Sequence, residues 1–474
     1  MLFHSPEFLL FMIALIFIYW VILKGNRRGQ NWMLLLASYM FYGAWNWRFL
    51  ILIFISSICD YYIALRMNDE ENRKKRKGWL FLSLGINLGI LGFFKYFNFF
   101  ISSFAELLQL IGFQANIPTL NIILPIGISF YTFQTLSYTI DVYRGQMKPT
   151  RDWLSFFVFV SFFPQLVAGP IERAKSMIPQ FTADRSFDQG QFISGLKFIL
   201  YGLFKKIVFA DSCGVIVNEV YGNPGAYSGS TLIVATILFT IQVYCDFSGY
   251  SDMAIGLGKL FGFQLMRNFA YPFFTRTFPE FYARWHMSLM NWFRDYVYIP
   301  LGGNRKSSSR TKLNVMIVFF ISGLWHGANW TYIFWGLISG FFFLLHYTKY
   351  RSFRKHGFSY WNQSFPKWSY LQDMLINFSM MAFSLIFFRA VSIGDAFTVI
   401  RNIFSFSTFA VPLHAAHLIY PVVLFVWEWH SRKHWHGLAM ENQERWYRWA
   451  VYLVVCVSIM YHYGQNQEFI YYQF

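Results

Sequence analysis

Long apolar stretches, separated by short polar gaps, recur along the whole length of this 474-residue chain. Residues 122–143, 192–217 and 231–257 are examples, and a helix needs about 20 apolar residues to cross the hydrocarbon layer of a membrane. Only 13% of the residues are charged, about half the share found in a soluble domain. The pattern predicts an all-α polytopic membrane protein with about ten to twelve transmembrane helices. Because no long polar stretch interrupts it, residues 1–474 are predicted to form a single membrane domain.

Basic residues gather in the gaps, and the chain has 40 Lys and Arg against 23 Asp and Glu. Short loops rich in Lys and Arg stay in the cytoplasm, so residues 66–77 (RMNDEENRKKRK), 305–312 and 349–355 are predicted to be cytoplasmic. The first apolar stretch precedes its positive flank, which predicts an N-terminus on the outside. A basic chain can also bind nucleic acid, but no nucleic-acid motif accompanies the charge here. Membrane lipid, and not nucleic acid, is the expected surrounding.

The first polar cluster inside an apolar stretch is SGLWHGANW, residues 322–330. Fourteen residues separate Lys312 from His326, which is about 21 Å along a helix and places the histidine inside the bilayer. Ser322 lies four residues before it and Asn329 three after it, so an unbroken helix would place both on its face and let them fix its tautomer. The alternative is a glycine packing seam beside a histidine whose hydrogen bonds are satisfied.

The second cluster is RWHMSLMNWFRDYVYIPLGGNR, residues 284–305. An unbroken helix would align Arg284, Ser288, Asn291 and Asp295 on one stripe, with His286 on another face. So many polar groups between apolar stretches favour a cavity filled by water or a ligand. An ion-paired helix at the membrane interface is the alternative.

The third cluster is YCDFSGYSDMAIG, residues 244–256. Asp246 and Asp252 are six residues apart, with Gln242 and Tyr250 one helical turn to either side of Asp246. A carboxylate pair could serve acid–base chemistry, but hydrogen bonding between helices is favoured. An EF-hand is excluded because its ligand spacing is missing.

Metal and thiol chemistry are not expected. Glu428, His430, His434 and His436 could bind a metal, but they lie in a basic segment, which favours solvation at the membrane interface. The four cysteines form no CxxC pair. No GxSxG, P-loop or dinucleotide motif with suitable flanks is present, which argues against a serine hydrolase, an ATPase and a dehydrogenase.

The three clusters resemble signature segments of the membrane-bound O-acyltransferase (MBOAT) family, in its bacterial alginate O-acetylation branch. LPIGISFYTFQTLSYTIDVYRG (124–145), FFPQLVAGPIER (162–173) and FIYYQF (469–474) are similar to that branch as well. The resemblance implies a helical bundle around a central tunnel, with His326 as the catalytic histidine and His286 as a second one. Predicted substrate or tunnel residues are Arg284, Ser288, Asn291, Asp295, Asp246, Tyr250, Asp252, Ser322 and Asn329.

The resemblance also implies a reaction and a location. The chain would lie in the bacterial inner membrane with a periplasmic N-terminus, bind no resident cofactor and take its acetyl group from acetyl-CoA. The group would pass to a periplasmic SGNH-type acetyltransferase and from there to a polysaccharide such as alginate. Two alternatives stay open: a D-alanyl transferase that uses a carrier-protein thioester, and a proton-coupled transporter. A transporter often shows two related halves, and none is evident.

Overall fold

The computed structural model describes residues 3–113, 120, 122–167, 169–356, 365–464, 467, 469 and 470. Every regular element among these residues is helical, so the predicted all-α class is confirmed. Backbone contacts divide the chain into two compact units, Met1–Leu196 with Ala254–Met266, and Lys197–Met253 with Arg267–Phe474. A single domain over residues 1–474 therefore stays a prediction.

Among the described residues, five helical stretches are long and apolar enough to cross a membrane: Arg27–Asp69, Arg73–Leu110, Gly229–Leu260, Trp330–Ser352 and Trp368–Arg389. They confirm a multi-pass membrane protein, whereas the number of ten to twelve spans and the central tunnel stay predictions. Most of Gly229–Leu260 is buried inside the protein, whereas most of Arg73–Leu110 is not. Large apolar side chains on uncovered helices are expected where lipid replaces water as the solvent.

The first unit exposes large apolar side chains on its N-terminal helix, among them Leu9, Leu10 and Ile13. Ser5 caps its first helix by accepting a hydrogen bond from the backbone N–H of Phe8. Asp60 is fully buried and accepts hydrogen bonds from Ser83 Oγ at 2.6 Å and Asn87 Nδ2 at 2.8 Å, which ties two helices together. The helices that lie in this unit are Pro6–Ile22, Arg27–Asn46, Leu50–Asp69, Arg73–Leu91, Phe97–Leu110, Ile128–Tyr143, Trp153–Ser161, Phe163–Leu166 and Ala174–Thr182.

The second unit contains the first two polar clusters and residues 244–253 of the third. Its helices are interrupted by two π-helical turns, Lys205–Asp211 and Arg294–Tyr298, and such turns often occur at functional sites. The remaining helices of the chain are Gln189–Phe204, Ser212–Gly222, Gly229–Leu260, Phe278–Tyr282, Met287–Phe293, Ser308–His326, Trp330–His356, Trp368–Arg389, Ile393–Ile403, Ile419–Ser431 and Arg445–His462.

Candidate active site

A close pair of helices, Ser308–His326 and Trp330–His356, holds the first polar cluster. At Gly323 a Cβ atom would lie 2.4 Å from the carbonyl oxygen of Tyr332, and at Gly336 it would lie 2.4 Å from that of Phe319. Only glycine permits backbones to approach so closely. The glycine seam considered as an alternative for this cluster is therefore present, and it also brings His326 against the second helix.

His326 is the last residue of its helix, and its side chain is buried among aromatic rings. The ring centroids of Trp325 and Trp335 each lie 4.8 Å from that of His326, and the centroid of Phe388 lies 5.3 Å away. Ser322, one turn earlier on the same helix, is also buried, and its role in fixing the tautomer of His326 stays a prediction. These rings exclude water from the imidazole. In such a site of low dielectric constant, a polar group stabilises charge on a bound reactant more strongly than it would in water.

Asn329 does not share the helical face of His326, so this part of the prediction is wrong. The helix ends at His326 because Gly327 is extended, with φ of −169°. Asn329 instead begins the next helix, where its Oδ1 accepts a hydrogen bond from the backbone N–H of Thr331. Its Nδ2 donates to the carbonyl oxygen of Val391. Asn329 therefore caps a helix, and it cannot orient the imidazole from the same helical face.

His286 occupies a left-handed turn, with φ of 42°, rather than a position inside a helix. The predicted stripe from Arg284 to Asp295 requires an unbroken helix, but Phe278–Tyr282 ends before the turn and Met287–Phe293 begins after it. The stripe is consequently not formed. A left-handed backbone is uncommon for a residue with a Cβ atom, and such outliers gather at active sites.

Asn268, which the sequence analysis missed, fixes the backbone that follows His286. Its carbonyl oxygen accepts from the backbone N–H of Met287 at 2.9 Å, and its Oδ1 accepts from Ser288 Oγ at 3.0 Å. Its Nδ2 donates to Ser251 Oγ at 3.1 Å. Ser288 therefore supports the turn. No motif in the sequence singles out Asn268, since only the fold brings it to this turn.

The other members of the predicted stripe separate. Arg284 lies before the turn and forms an ion pair with Glu280 at 3.4 Å. Asp295 lies in the π-helical turn and pairs with the neighbouring, mostly exposed Arg294 at 2.8 Å. Asn291 is half-buried on the short helix that also carries Ser288. Two local ion pairs are thus present in place of the polar stripe.

Trp325 links the two predicted catalytic histidines. Its ring centroid lies 5.7 Å from that of His286 and 4.8 Å from that of His326. Phe247 approaches His286 from another side, at 4.6 Å. The structure therefore brings both histidines to one aromatic side chain, although they are forty residues apart in the sequence. Their catalytic roles stay predictions.

The third cluster is part of a buried charge network. Lys206 Nζ lies 2.8 Å from Asp246 Oδ1 and 2.7 Å from Asp211 Oδ1, and Lys205 Nζ lies 2.6 Å from Asp252 Oδ2. The spacing of five residues between Lys206 and Asp211 is that of one π-helical turn. Sequence reasoning missed both lysines, although two adjacent cations in an apolar stretch are themselves a signal. The expected interhelical bonding of the two aspartates is confirmed, with ion pairs as its form.

The network also binds a segment near the end of the chain. Lys206 Nζ donates to the carbonyl oxygen of Gln467 at 3.0 Å, and Asp246 Oδ2 accepts from the backbone N–H of Ile470 at 2.7 Å. The ring of Tyr250 packs on Phe469, with 4.1 Å between centroids. Residues 471–474, the rest of the FIYYQF segment, lie outside the described residues.

The prediction that the Glu428 segment is solvated at the interface is wrong for two of its residues. Glu428 is completely buried and accepts a hydrogen bond from Tyr244 at 2.6 Å. His436 is buried against Phe198, with ring centroids 4.2 Å apart. Glu428 lies on the helix Ile419–Ser431 and His436 in the loop that follows it. Both side chains are buried although their sequence neighbours are basic. In the part of the chain that the structure describes, no three His, Cys, Asp or Glu residues gather as a metal site would require.

Comparison with known proteins adds to this geometry. The sequence model of the membrane-bound O-acyltransferase family matches residues 148–392. The chain is 42% identical over 341 residues to the probable alginate O-acetylase AlgI of Pseudomonas putida, which is 72% of this chain and 69% of that protein. It is 38% identical to the Pseudomonas aeruginosa protein of the same name, over 86% of this chain and 76% of that one. It is also 33% identical to the peptidoglycan O-acetyltransferase of Helicobacter pylori, over 85% and 79% of the two chains.

Proposed function

Because the chain belongs to the membrane-bound O-acyltransferase family and is a multi-pass O-acyltransferase, we propose that it passes acetyl groups outward across the bacterial inner membrane. The donor is acetyl-CoA at the cytoplasmic face, and the final acceptor is a polysaccharide of the cell exterior. The names of the relatives support acetyl transfer to alginate or peptidoglycan. The observation that carries the proposal is the water-excluded His326, which lies inside the matched segment.

His326 is the general base in this proposal. Imidazole has an unperturbed pKa near 6.5, so its neutral form accepts a proton at physiological pH. As the acceptor hydroxyl oxygen attacks the carbonyl carbon of the acetyl thioester, His326 removes the hydroxyl proton. The new C–O bond replaces the C–S bond, and the proton leaves with the CoA thiolate as free thiol. General-base assistance of this kind contributes about 10²–10⁴-fold to the rate.

His286 positions the reactants rather than exchanging protons. Its left-handed turn is held by Asn268, and its ring contacts the same Trp325 as the base. A ring fixed in this way keeps the acyl group in line with the attacking hydroxyl, and orientation alone is a large part of catalysis.

The first acceptor is a separate periplasmic protein of the SGNH acetyltransferase type. A long polar polymer needs an extended polar surface to select one hydroxyl, and the sequence has no polar stretch of the size of a soluble domain. Nor does it contain a GxSxG motif that would hold an acyl-enzyme outside. The chain therefore delivers the acetyl group, and the partner chooses the sugar.

The experiment is acetyl transfer by the purified protein in liposomes, with radiolabelled acetyl-CoA inside and polysaccharide outside. Polymer acetylation is expected only after the periplasmic acceptor is added, and His326→Ala should abolish it. His430→Ala is the matched control because His430 is exposed. Acetylation of the polymer without the acceptor would refute the relay, and normal transfer by His326→Ala would refute the base. Transfer from a D-alanyl carrier protein but not from acetyl-CoA would establish the alternative donor.

A further inference from the structure

A polar cavity of about 200 Å³ lies next to Phe388, one of the aromatic rings that surround His326. Among the side chains that line it are Asn218, Gln242, Asn329, Arg389 and Gln467, all in the second unit. Neither the mechanism above nor the sequence analysis gives this cavity a role.

Arg389 supplies a cation to the lining of the cavity. Its guanidinium donates to Asn218 Oδ1 at 2.8 Å and lies over the ring of Tyr221, 5.6 Å from the centroid. No carboxylate lies within ion-pair distance of Arg389 in the described residues, whose gaps are at 114–119, 121, 168 and 357–364 and near the C-terminus. A partly buried cation gains stability from an anionic partner, and a planar guanidinium matches a carboxylate in geometry.

Gln242 provides a second, independent sign of a ligand. Its side chain is 8% exposed and lines the cavity, yet its Oε1 has no hydrogen-bond partner among the residues that the structure describes. A buried acceptor that makes no hydrogen bond costs about 1–3 kcal/mol of stability. A hydroxyl or amide N–H of a bound molecule would satisfy it.

The cavity is one aromatic ring away from the proposed base. Phe388 lines the cavity and also contacts His326, with 5.3 Å between ring centroids. His326 and Arg389 are both the last residues of their helices. The ion pair between Lys349 and Asp373 lies sixteen residues before Arg389 along that helix, about 24 Å away at ~1.5 Å per residue. Since residues 349–355 are predicted to be cytoplasmic, the cavity faces outward.

We propose that this cavity is the acceptor subsite. In it Arg389 binds a carboxylate of the acyl acceptor, and Gln242 Oε1 accepts a hydrogen bond from a hydroxyl or amide N–H of the same molecule. The inference rests on the proposed function. The occupant is an acidic segment of the acceptor protein, because the volume suits one side chain with its neighbour rather than a run of sugar rings. The acceptor's hydroxyl then reaches the side of the cavity nearest His326.

The test compares Arg389→Gln, Arg389→Lys and Gln242→Glu with the control Arg401→Gln in liposomes. Arg401 is exposed on the helix that follows. Loss of the charged hydrogen bond should raise the KM for the acceptor protein about tenfold or more, with the KM for acetyl-CoA unchanged. Arg389→Lys should recover part of the loss. Gln242→Glu keeps the size of the side chain but neutralises Arg389, so it should weaken acceptor binding as well.

Binding of the acceptor protein without acetyl-CoA separates the two proposals. The Kd for the acceptor protein should rise about tenfold in Arg389→Gln. If the Kd rises but the wild-type protein transfers no acetyl group, the proposed function is refuted and the subsite is not. An unchanged Kd and KM in both Arg389→Gln and Gln242→Glu would overturn the subsite. D-glucuronate serves as the probe for a sugar occupant, with D-glucose as its neutral control. Acetylation of D-glucuronate by the wild type, lost in Arg389→Gln, would overturn the protein occupant.

Discussion

Replacing Gly323 by alanine tests how closely the helix that carries His326 must approach its neighbour. The new Cβ would lie 2.4 Å from the carbonyl oxygen of Tyr332 and 3.1 Å from Cα of Ile333. Ordinary contact begins at 3.4 Å, so the overlap with the oxygen is 3.4 − 2.4 = 1.0 Å. Both clashing atoms belong to the backbone, and no side chain can rotate to relieve them. The two helices must therefore move apart by about 1 Å.

Two opposing terms set the size of the effect. Overpacking of this kind costs about 1–3 kcal/mol, whereas alanine gains up to about 1 kcal/mol over glycine in helix propensity. We expect a net loss of about 1–2 kcal/mol in the free energy of unfolding. Because His326 follows Gly323 by less than one turn, a displacement of about 1 Å should also lower the transfer rate on the order of 100-fold.

The assay is thermal unfolding of the purified protein in detergent, followed by acetyl transfer in liposomes. Gly85→Ala is the matched control, since Gly85 also lies inside a helix but a Cβ there would meet nothing within 4 Å. This control should unfold at the same temperature as the wild type or slightly higher, with the same transfer rate. If Gly323→Ala behaves like Gly85→Ala, the close contact described here is wrong.

Three further predictions follow from the same unit and from the charge of the loops. Glycine adopts a left-handed backbone without steric cost, so His286→Gly should unfold at the wild-type temperature but transfer acetyl groups more slowly. An unchanged transfer rate would show that His286 serves only in packing. Lys206→Met should destabilise the protein by about 3–5 kcal/mol because it leaves buried carboxylates unpaired, and Lys206→Met with Asp246→Asn should recover part of that loss in the same unfolding assay. Cysteines introduced into residues 66–77 and 305–312 should react with a permeant but not an impermeant thiol reagent in spheroplasts, and labelling of either loop from outside would reverse the assigned orientation.

The sequence predicts those features that depend on composition and local spacing. The membrane class follows from apolar stretches, and the position of Ser322 relative to His326 follows from helical periodicity. Periodicity fails where the backbone leaves the helix. Gly327 and Asn329 are residues that commonly end one helix and begin the next, so the break after His326 could have been anticipated. The turn at His286 could not, because a histidine gives no sign of a left-handed conformation.

The sequence also does not predict which residues pair when they are far apart along the chain. Lys206 and Asp246 are forty residues apart, and each is only a costly polar group in an apolar stretch until folding joins them. Glu428 belongs to a basic segment in sequence but meets Tyr244 in the interior. A buried charge in a membrane helix therefore predicts that a partner exists, but it does not identify that partner.

The hydrogen bonds that Lys206 and Asp246 make with Gln467 and Ile470 have a consequence for assembly. These contacts span 261 positions from Lys206 to Gln467 and 224 from Asp246 to Ile470. During synthesis the lysine and the aspartate are made long before the backbone groups that complete their hydrogen bonds. Until then Lys206 lacks one acceptor and Asp246 lacks one donor. A chain cut before residue 467 would lose both hydrogen bonds, so the cut would weaken a buried charge network and not only a surface segment.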